Sequence, residues 1–105
     1  MNYGYIRIST DKQTTENQRF EIEKFASVKQ LIIDEWIEET ISSTKRLESR
    51  KFGQLLGRME KGDVIIVSEL SRMGRNLMQI MKILHDCMEK QVMVYTVKEG
   101  YELGN

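Results

Sequence analysis

An α/β domain is predicted, with a mostly parallel central sheet of about four strands and helices on both faces. Three observations predict it. Apolar runs and helical stripes alternate along the 105 residues. The strand-like runs are apolar at consecutive positions, as in strands buried on both faces. No linker, internal repeat or low-complexity stretch divides the chain, so one domain is expected.

Each element has its own signal. NYGYIRI, Asn2 to Ile8, reads as the first strand and ends at Ser9 and Thr10. Thr15 to about Val28 reads as a helix, with Ile22, Phe25 and Ala26 at helical spacing. LIIDEWI, Leu31 to Ile37, reads as the second strand, and the polar EETISSTKRLESR after it as turn-like. In KFGQLLGRMEKG, the residues Phe52, Leu55, Leu56 and Met59 fall at i, i+3, i+4 and i+7, an amphipathic helix stripe. Gly62 stops that helix, and DVIIVS, Asp63 to Ser68, reads as the third strand. After a loop around SRMGR, a helix is expected from about Asn76 to Lys90, with Leu77, Ile80, Met81, Leu84, Cys87 and Met88 as its stripe. VMVYTV, Val92 to Val97, reads as the fourth strand, and EGYELGN as irregular or a short strand. Met73, Met78, Met81 and Met88 read mostly as core, with some reserved for a subunit interface.

Composition narrows the classes. Sixteen basic and sixteen acidic residues give a formal net charge of zero, whereas free-standing DNA-binding domains are usually basic. The basic islands are local: STKRLESRK (Ser43 to Lys51) and SRMGR (Ser71 to Arg75). A single Cys excludes an intrachain disulfide, and Cys87 falls in a core stripe. No stretch has the length of a membrane span, and the first residues lack a signal peptide's apolar core, so the cytoplasm is the expected location.

Tyr5, Arg7 and Ser9 alternate on one strand and so share a face. Alone, that is equally the polar face of a sheet edge. Arg72 and Arg75, three apart, can lie on one side of a helical turn. Arg46, Arg50 and Arg58 surround the second helix. Clustered guanidinium forks suit a phosphate, and a hydroxyl among them would be a nucleophile aimed at phosphorus. In an open α/β sheet, ligands bind beyond the carboxyl ends of strands. Ser9 follows strand one and SRMGR follows strand three, so the fold class predicts that they share a site. The acidic pairs Asp34–Glu35 and Glu38–Glu39 lack a His partner and ligand-like spacing, and read as a solvated strand end. His85, the one histidine, reads as a surface residue.

The sequence resembles the catalytic domain of the serine site-specific recombinases, the resolvases and DNA invertases, over essentially its whole length. The matching stretches are YGYIRISTDKQ, Gln18 within ENQRFEIEKF, ISSTKRLESRKFGQLL and GDVIIVSELSRMGRN with the helix after it. The resemblance implies a DNA strand transferase whose serine attacks a phosphodiester, forms a 5′-phosphoserine bond and frees a 3′-hydroxyl, using no metal and no cofactor. It implies Ser9 as nucleophile and Arg7, Arg72 and Arg75 on the scissile phosphate. Arg50 is favoured over Arg46 as a further site arginine, and Tyr5, Gln18, Arg58 and Ser71 fall at supporting positions. An acidic residue near Glu39 is implied to help hold the site.

The family often has Asp where Ser71 stands. Glu69 is two residues away, and the sequence leaves open whether its side-chain direction lets it substitute. The implied partner is double-stranded DNA at specific sites, engaged by a homodimer that assembles to a homotetramer. Assembly of Ser9 with the arginines is implied to accompany tetramer formation. A nucleoid-associated cytoplasmic protein without membrane contact is expected. Residues 1–105 match the catalytic domain, and the family's long helix and helix-turn-helix domain are expected beyond them. Inversion, resolution, transposition and integration all stay open. The alternative from another class is a non-catalytic α/β module that docks phosphate or nucleic acid through the same arginines.

Overall fold

The computed structural model describes residues 1–8, 12–40, 51–74 and 76–104. The elements are β1 (Asn2–Ile8), α1 (Lys12–Val28), β2 (Glu35–Thr40), α2 (Lys51–Arg58), β3 (Val64–Val67), a single 3₁₀ turn (Leu70–Arg72), α3 (Leu77–Glu89), β4 (Met93–Thr96) and β5 (Tyr101–Leu103). The sheet order is β2-β1-β3-β4-β5. The first four strands run parallel, and β5 is antiparallel on the edge beside β4. The predicted class therefore holds, with a fifth strand where the sequence left a choice between irregular chain and a short strand.

Helices cover both faces because alternate strand residues point to opposite sides. On one face, Tyr3, Tyr5, Ile65, Val67 and Val94 pack against Phe52 and Leu55 of α2 and Ile83 and Cys87 of α3. On the other, Ile6 and Ile66 pack against Ile22 and Ala26 of α1. Gly4 lies on the α1 face opposite Trp36 of β2. A Cβ at Gly4 would come within 2.6 Å of the indole, so the close approach requires glycine. Arg19 of α1 covers the indole, its guanidinium carbon 4.3 Å from the ring centroid.

Three sequence expectations need correction. First, α1 begins at Lys12, three residues before Thr15. Second, β2 is displaced from Leu31–Ile37 to Glu35–Thr40. The amide of Leu31 closes the end of α1 on the Ala26 carbonyl, so the chain is not yet free to join the sheet there. Leu31 and Ile33 still pack against the α1 face, which accounts for their apolar character without a strand. Third, α3 turns a different wedge inward. Ile80, Ile83 and Cys87 are buried, whereas Leu77, Met78, Met81 and Met88 are exposed. Apolar residues occupy so much of this helix's circumference that periodicity does not choose which wedge faces the sheet. Among the methionines expected mostly in the core, Met73 is buried and the three on α3 are not. Cys87 is core, and burial pushes its thiol up to about 11. His85 is exposed and pairs with Glu89 across one helical turn.

Candidate active site

The sheet has one place where chain direction reverses. From β1 the chain crosses through α1 to β2 on one side, whereas β3 proceeds through α3 to β4 on the other. The crevice between the carboxyl ends of β1 and β3 is thus the switch point at which this class of sheet binds ligands. Arg7 lies at the end of β1, and the segment from Ser68 to Arg72 follows β3.

β1 outruns its neighbour. The ladder between β1 and β3 ends with Tyr5 opposite Val67, so Arg7 projects past β3. Gln18 fills the missing strand's place. Its side-chain oxygen accepts from the Arg7 amide at 3.2 Å, and its side-chain nitrogen donates to the Arg7 carbonyl at 3.0 Å. Gln18, Ile22 and Ala26 form the i, i+4, i+8 stripe of α1, all buried, so the helix that packs the core also delivers this amide.

Two arginines then lock reciprocally. Arg7 Nη2 donates to the Ser71 carbonyl at 3.0 Å, and Arg72 Nη1 donates to the Arg7 carbonyl at 3.4 Å. Each guanidinium is seated on the other's segment, although the two are 65 residues apart in sequence. A polar cavity of about 410 Å³ beyond the ends of β3 and β4 has Gln18, Ser68, Arg72 and Lys98 in its wall. A larger groove of about 600 Å³ between α2 and α3 is lined by Leu56, Met59 and Cys87, with Lys82, Asp86, Glu89 and Lys90 mixing both charges. Only the first opening adjoins the arginine pair.

Carboxylates complete the geometry, and the sequence reading underrated them. Glu38 is exposed and pairs with Arg19, as a solvated strand end should. Glu39 is not solvated: it is 3% exposed. Its carboxylate accepts from the Tyr5 hydroxyl at 2.8 Å, the Lys51 amide at 2.7 Å and the Phe52 amide at 3.2 Å. It thereby caps the first turn of α2, where an anion also meets the positive end of the helix dipole. Tyr5 is fully buried and stacks on Phe52 with centroids 4.3 Å apart. Its phenol supports α2 from beneath rather than lining an open site.

Glu69 lies on the arginine side. Its carboxylate accepts from Ser71 Oγ at 3.0 Å, pairs with Lys98 Nζ at 3.0 Å and stands 3.6 Å from Arg72 Nε. The hydrogen bond from Lys98 is the chief cause that holds this carboxyl below its ordinary range, against the opposing effect of burial. The turn is pinned further by Glu99, which accepts from the Leu70 amide at 3.0 Å. From the sequence, Glu69 is only a candidate substitute for the Asp that Ser71 replaces, with its direction left open, and Lys98 and Glu99 have no signal beyond proximity to the end of the fourth strand.

Tyr5, Arg7, Gln18, Ser71 and Arg72 are thus gathered around one strand end. Arg58 is not with them. It pairs with Glu35 at 3.2 Å, at the amino end of β2. Glu35 is level with Tyr3 and Glu39 with Arg7, so Arg58 is anchored four residues back along the sheet, roughly 13 Å. Ser9, Arg46, Arg50 and Arg75 lie outside the described residues, and so does the expected assembly of Ser9 with the arginines. Among the described residues, no group of three His, Cys, Asp or Glu side chains could hold a metal ion, and no helix is long and apolar enough to cross a membrane.

Comparison with known proteins agrees with this fold. The family described as "Resolvase, N terminal domain" matches residues 2–105. The transposon Tn2501 resolvase of Escherichia coli is 42% identical over 100 residues, covering 93% of this chain and 50% of the relative. The serine recombinase PinR of Escherichia coli (strain K12) is 40% identical with the same coverage. The chain therefore spans about half the length of these relatives. Among solved structures, a resolvase family site-specific recombinase from Streptococcus pneumoniae superposes with a TM-score of 0.77 at 23% identity, over 96% of this chain and 74% of that one. The N-terminal catalytic domain of TP901-1 integrase gives 0.79 at 15% identity, over 97% and 82%. These two likenesses speak for the fold, and the family match and the two relatives speak for descent: the chain belongs to the serine recombinase family, in its resolvase N-terminal domain.

Proposed function

We propose that residues 1–105 form the strand-cleaving domain of a site-specific DNA recombinase that works by serine attack on a phosphodiester. The observation that carries this reading is the reciprocal seating of Arg7 and Arg72 at the switch point, one residue before the place where Ser9 follows Ile8. A phosphodiester is anionic and repels nucleophiles. Guanidiniums already held in place offset that repulsion and stabilise the charge that grows on the phosphoryl oxygens.

In this reading the Ser9 hydroxyl loses its proton and its oxygen bonds to phosphorus. The bond from phosphorus to the 3′-oxygen breaks, that oxygen takes up a proton, and the 5′ end stays on Ser9. Resealing reverses these steps. The phosphoserine ester conserves the energy of the cut bond, so no nucleotide is consumed. The sequence contains no G-x-x-x-x-G-K loop, in keeping with that economy. Arg7, Arg72, Arg75 and Arg50 are proposed phosphate ligands. Gln18 and Tyr5 support them through the Arg7 backbone and the start of α2, and Ser71 supports the turn. No metal or cofactor is assigned a part. The substrate is duplex DNA at specific sites, cut within a tetramer built from dimers, in the cytoplasm at the nucleoid. Resolution and inversion are the two outcomes that the relatives' names suggest.

The test uses the full-length protein and the genomic DNA flanking its gene. Under conditions that slow resealing, a detergent quench should trap protein on DNA 5′ ends, and Ser9→Ala should abolish the adduct. An adduct undiminished in Ser9→Ala would overturn the mechanism. Tight phosphate-dependent binding with no adduct in either protein would favour a docking module instead.

A further inference from the structure

We propose that Glu69 positions Arg72 for the DNA phosphate, and that its carboxylate stands where a carboxylate at residue 71 could equally stand. The inference rests on the preceding reading that Arg72 contacts the phosphate.

Three observations support it. Glu69 has an extended backbone and is followed at once by the 3₁₀ turn Leu70–Arg72, closed by the Arg72 amide on the Glu69 carbonyl at 3.1 Å. The turn folds the chain back so that Glu69 at its start and Arg72 at its end face each other, Glu69 Oε1 standing 3.6 Å from Arg72 Nε. Next, among the described residues two groups face the Arg72 guanidinium, both at long range: Nη1 donates to the Arg7 carbonyl at 3.4 Å, and Nε, which makes no hydrogen bond, is ion-paired with Glu69 Oε1 at 3.6 Å. Among the described residues they engage the Nε and Nη1 edge of the guanidinium. Without the carboxylate, one long bond among the described residues would be left to fix a side chain of high rotamer freedom. Finally, Glu69 is itself fixed, by Ser71 Oγ and Lys98 Nζ, each at 3.0 Å. An orienting group needs such support before it can orient anything else.

The competing role for Glu69 is a staple from the turn to Lys98. The two roles separate by moving the charge. Ser71 Oγ is 3.0 Å from Glu69 Oε1, so Ser71→Asp in a Glu69→Gln background returns a carboxylate to nearly the same ground without restoring the original pair with Lys98. In the full-length protein with the same flanking genomic DNA, Glu69→Gln should slow adduct formation about a hundredfold, the loss typical of a reacting group misplaced by about 1 Å. Glu69→Gln/Ser71→Asp should recover at least about tenfold of that loss. Thermal melting of each variant accompanies the rates.

A second readout needs no reaction. The Arg72 Nε–Hε nuclear resonance should shift in Glu69→Gln and return in the double variant. Absence of adduct from the parent protein would count against the recombinase reading alone, while the resonance would still decide the role of Glu69. A Glu69→Gln resonance and rate equal to the parent's would overturn the proposal. So would a folded double variant no better than the single one on both readouts.

Discussion

Glu39 shows how much one buried carboxylate can carry. Three donors converge on it: the Tyr5 hydroxyl and the amides of Lys51 and Phe52. Two of them are amides at the start of α2, which lack partners within their own helix. The third belongs to β1, the strand that carries Arg7. Glu39 therefore joins the start of α2 to β1, one face-step from the arginine site. Glu39→Gln keeps the size but offers one acceptor oxygen and turns an NH₂ group toward donors. We expect a loss of about 1–3 kcal/mol, the cost of leaving a buried donor unmet. Tyr5→Phe removes one donor and leaves two, so about 1 kcal/mol is expected. Because both changes act on one contact, the double variant should lose less than the sum. Urea unfolding of the two single variants and the double variant measures all three values, and strict additivity would break the proposed link.

The elements end by chemistry that is only partly written as glycine. Gly62, at φ +93°, lies in the turn before β3, four residues past the last residue of α2, so the glycine read from the sequence as the stop of that helix does not end it. α1 and α3 instead end on glutamines, Gln30 at φ +60° and Gln91 at φ +62°. The next amides bond back five residues, Leu31 to Ala26 and Val92 to Cys87, each at 2.8 Å. The glutamine amides bond to Ser27 and Met88, each at 3.1 Å, which completes a Schellman end on both helices. A side chain in the left-handed region costs roughly 1–2 kcal/mol, and glycine avoids that while losing about 0.5–1 kcal/mol to chain entropy. Gln91→Gly should therefore stabilise the protein by about 0.5 kcal/mol, and Gln91→Val should destabilise it, as thermal melting would show. The same contrast explains what the sequence could reveal. Apolar runs and helical spacing located the strands and helices because burial leaves a periodic trace. The start of β2 and the inward wedge of α3 left none: Leu31 and Ile33 are apolar for packing without pairing, and α3 is apolar too far around. Arg7 and Arg72 could be found from their local patterns. Glu39 and Glu69 enter only through the resemblance, and their contacts were not legible, because their partners come from other segments and a turn, and a charged letter ordinarily means solvent.

At the scale of the whole molecule, charge sets how the site would meet the proposed DNA substrate. Sixteen positive and sixteen negative residues leave no net attraction at long range, so the arginines act only once a phosphate is close. The fold concentrates what attraction there is. Arg7 and Arg72 are gathered at one strand end, while the half-buried Arg19 and the exposed Arg58 are engaged with Glu38 and Glu35. Counting Arg7, Arg72 and Arg75 as phosphate contacts gives about three released counterions, and hence a slope of about −3 for the logarithm of the binding constant against that of salt. Residues 1–105 by themselves should therefore bind duplex DNA in the range of about 10⁻⁴–10⁻⁶ M at physiological salt, with no preference for a recombination site. Arg72→Ala should weaken that binding on every sequence and bring the slope nearer zero by about one. Fluorescence anisotropy over a salt series measures both. Submicromolar, sequence-selective binding by these residues would mean that the domain reads DNA itself, and that its affinity does not rest on the arginine cluster alone.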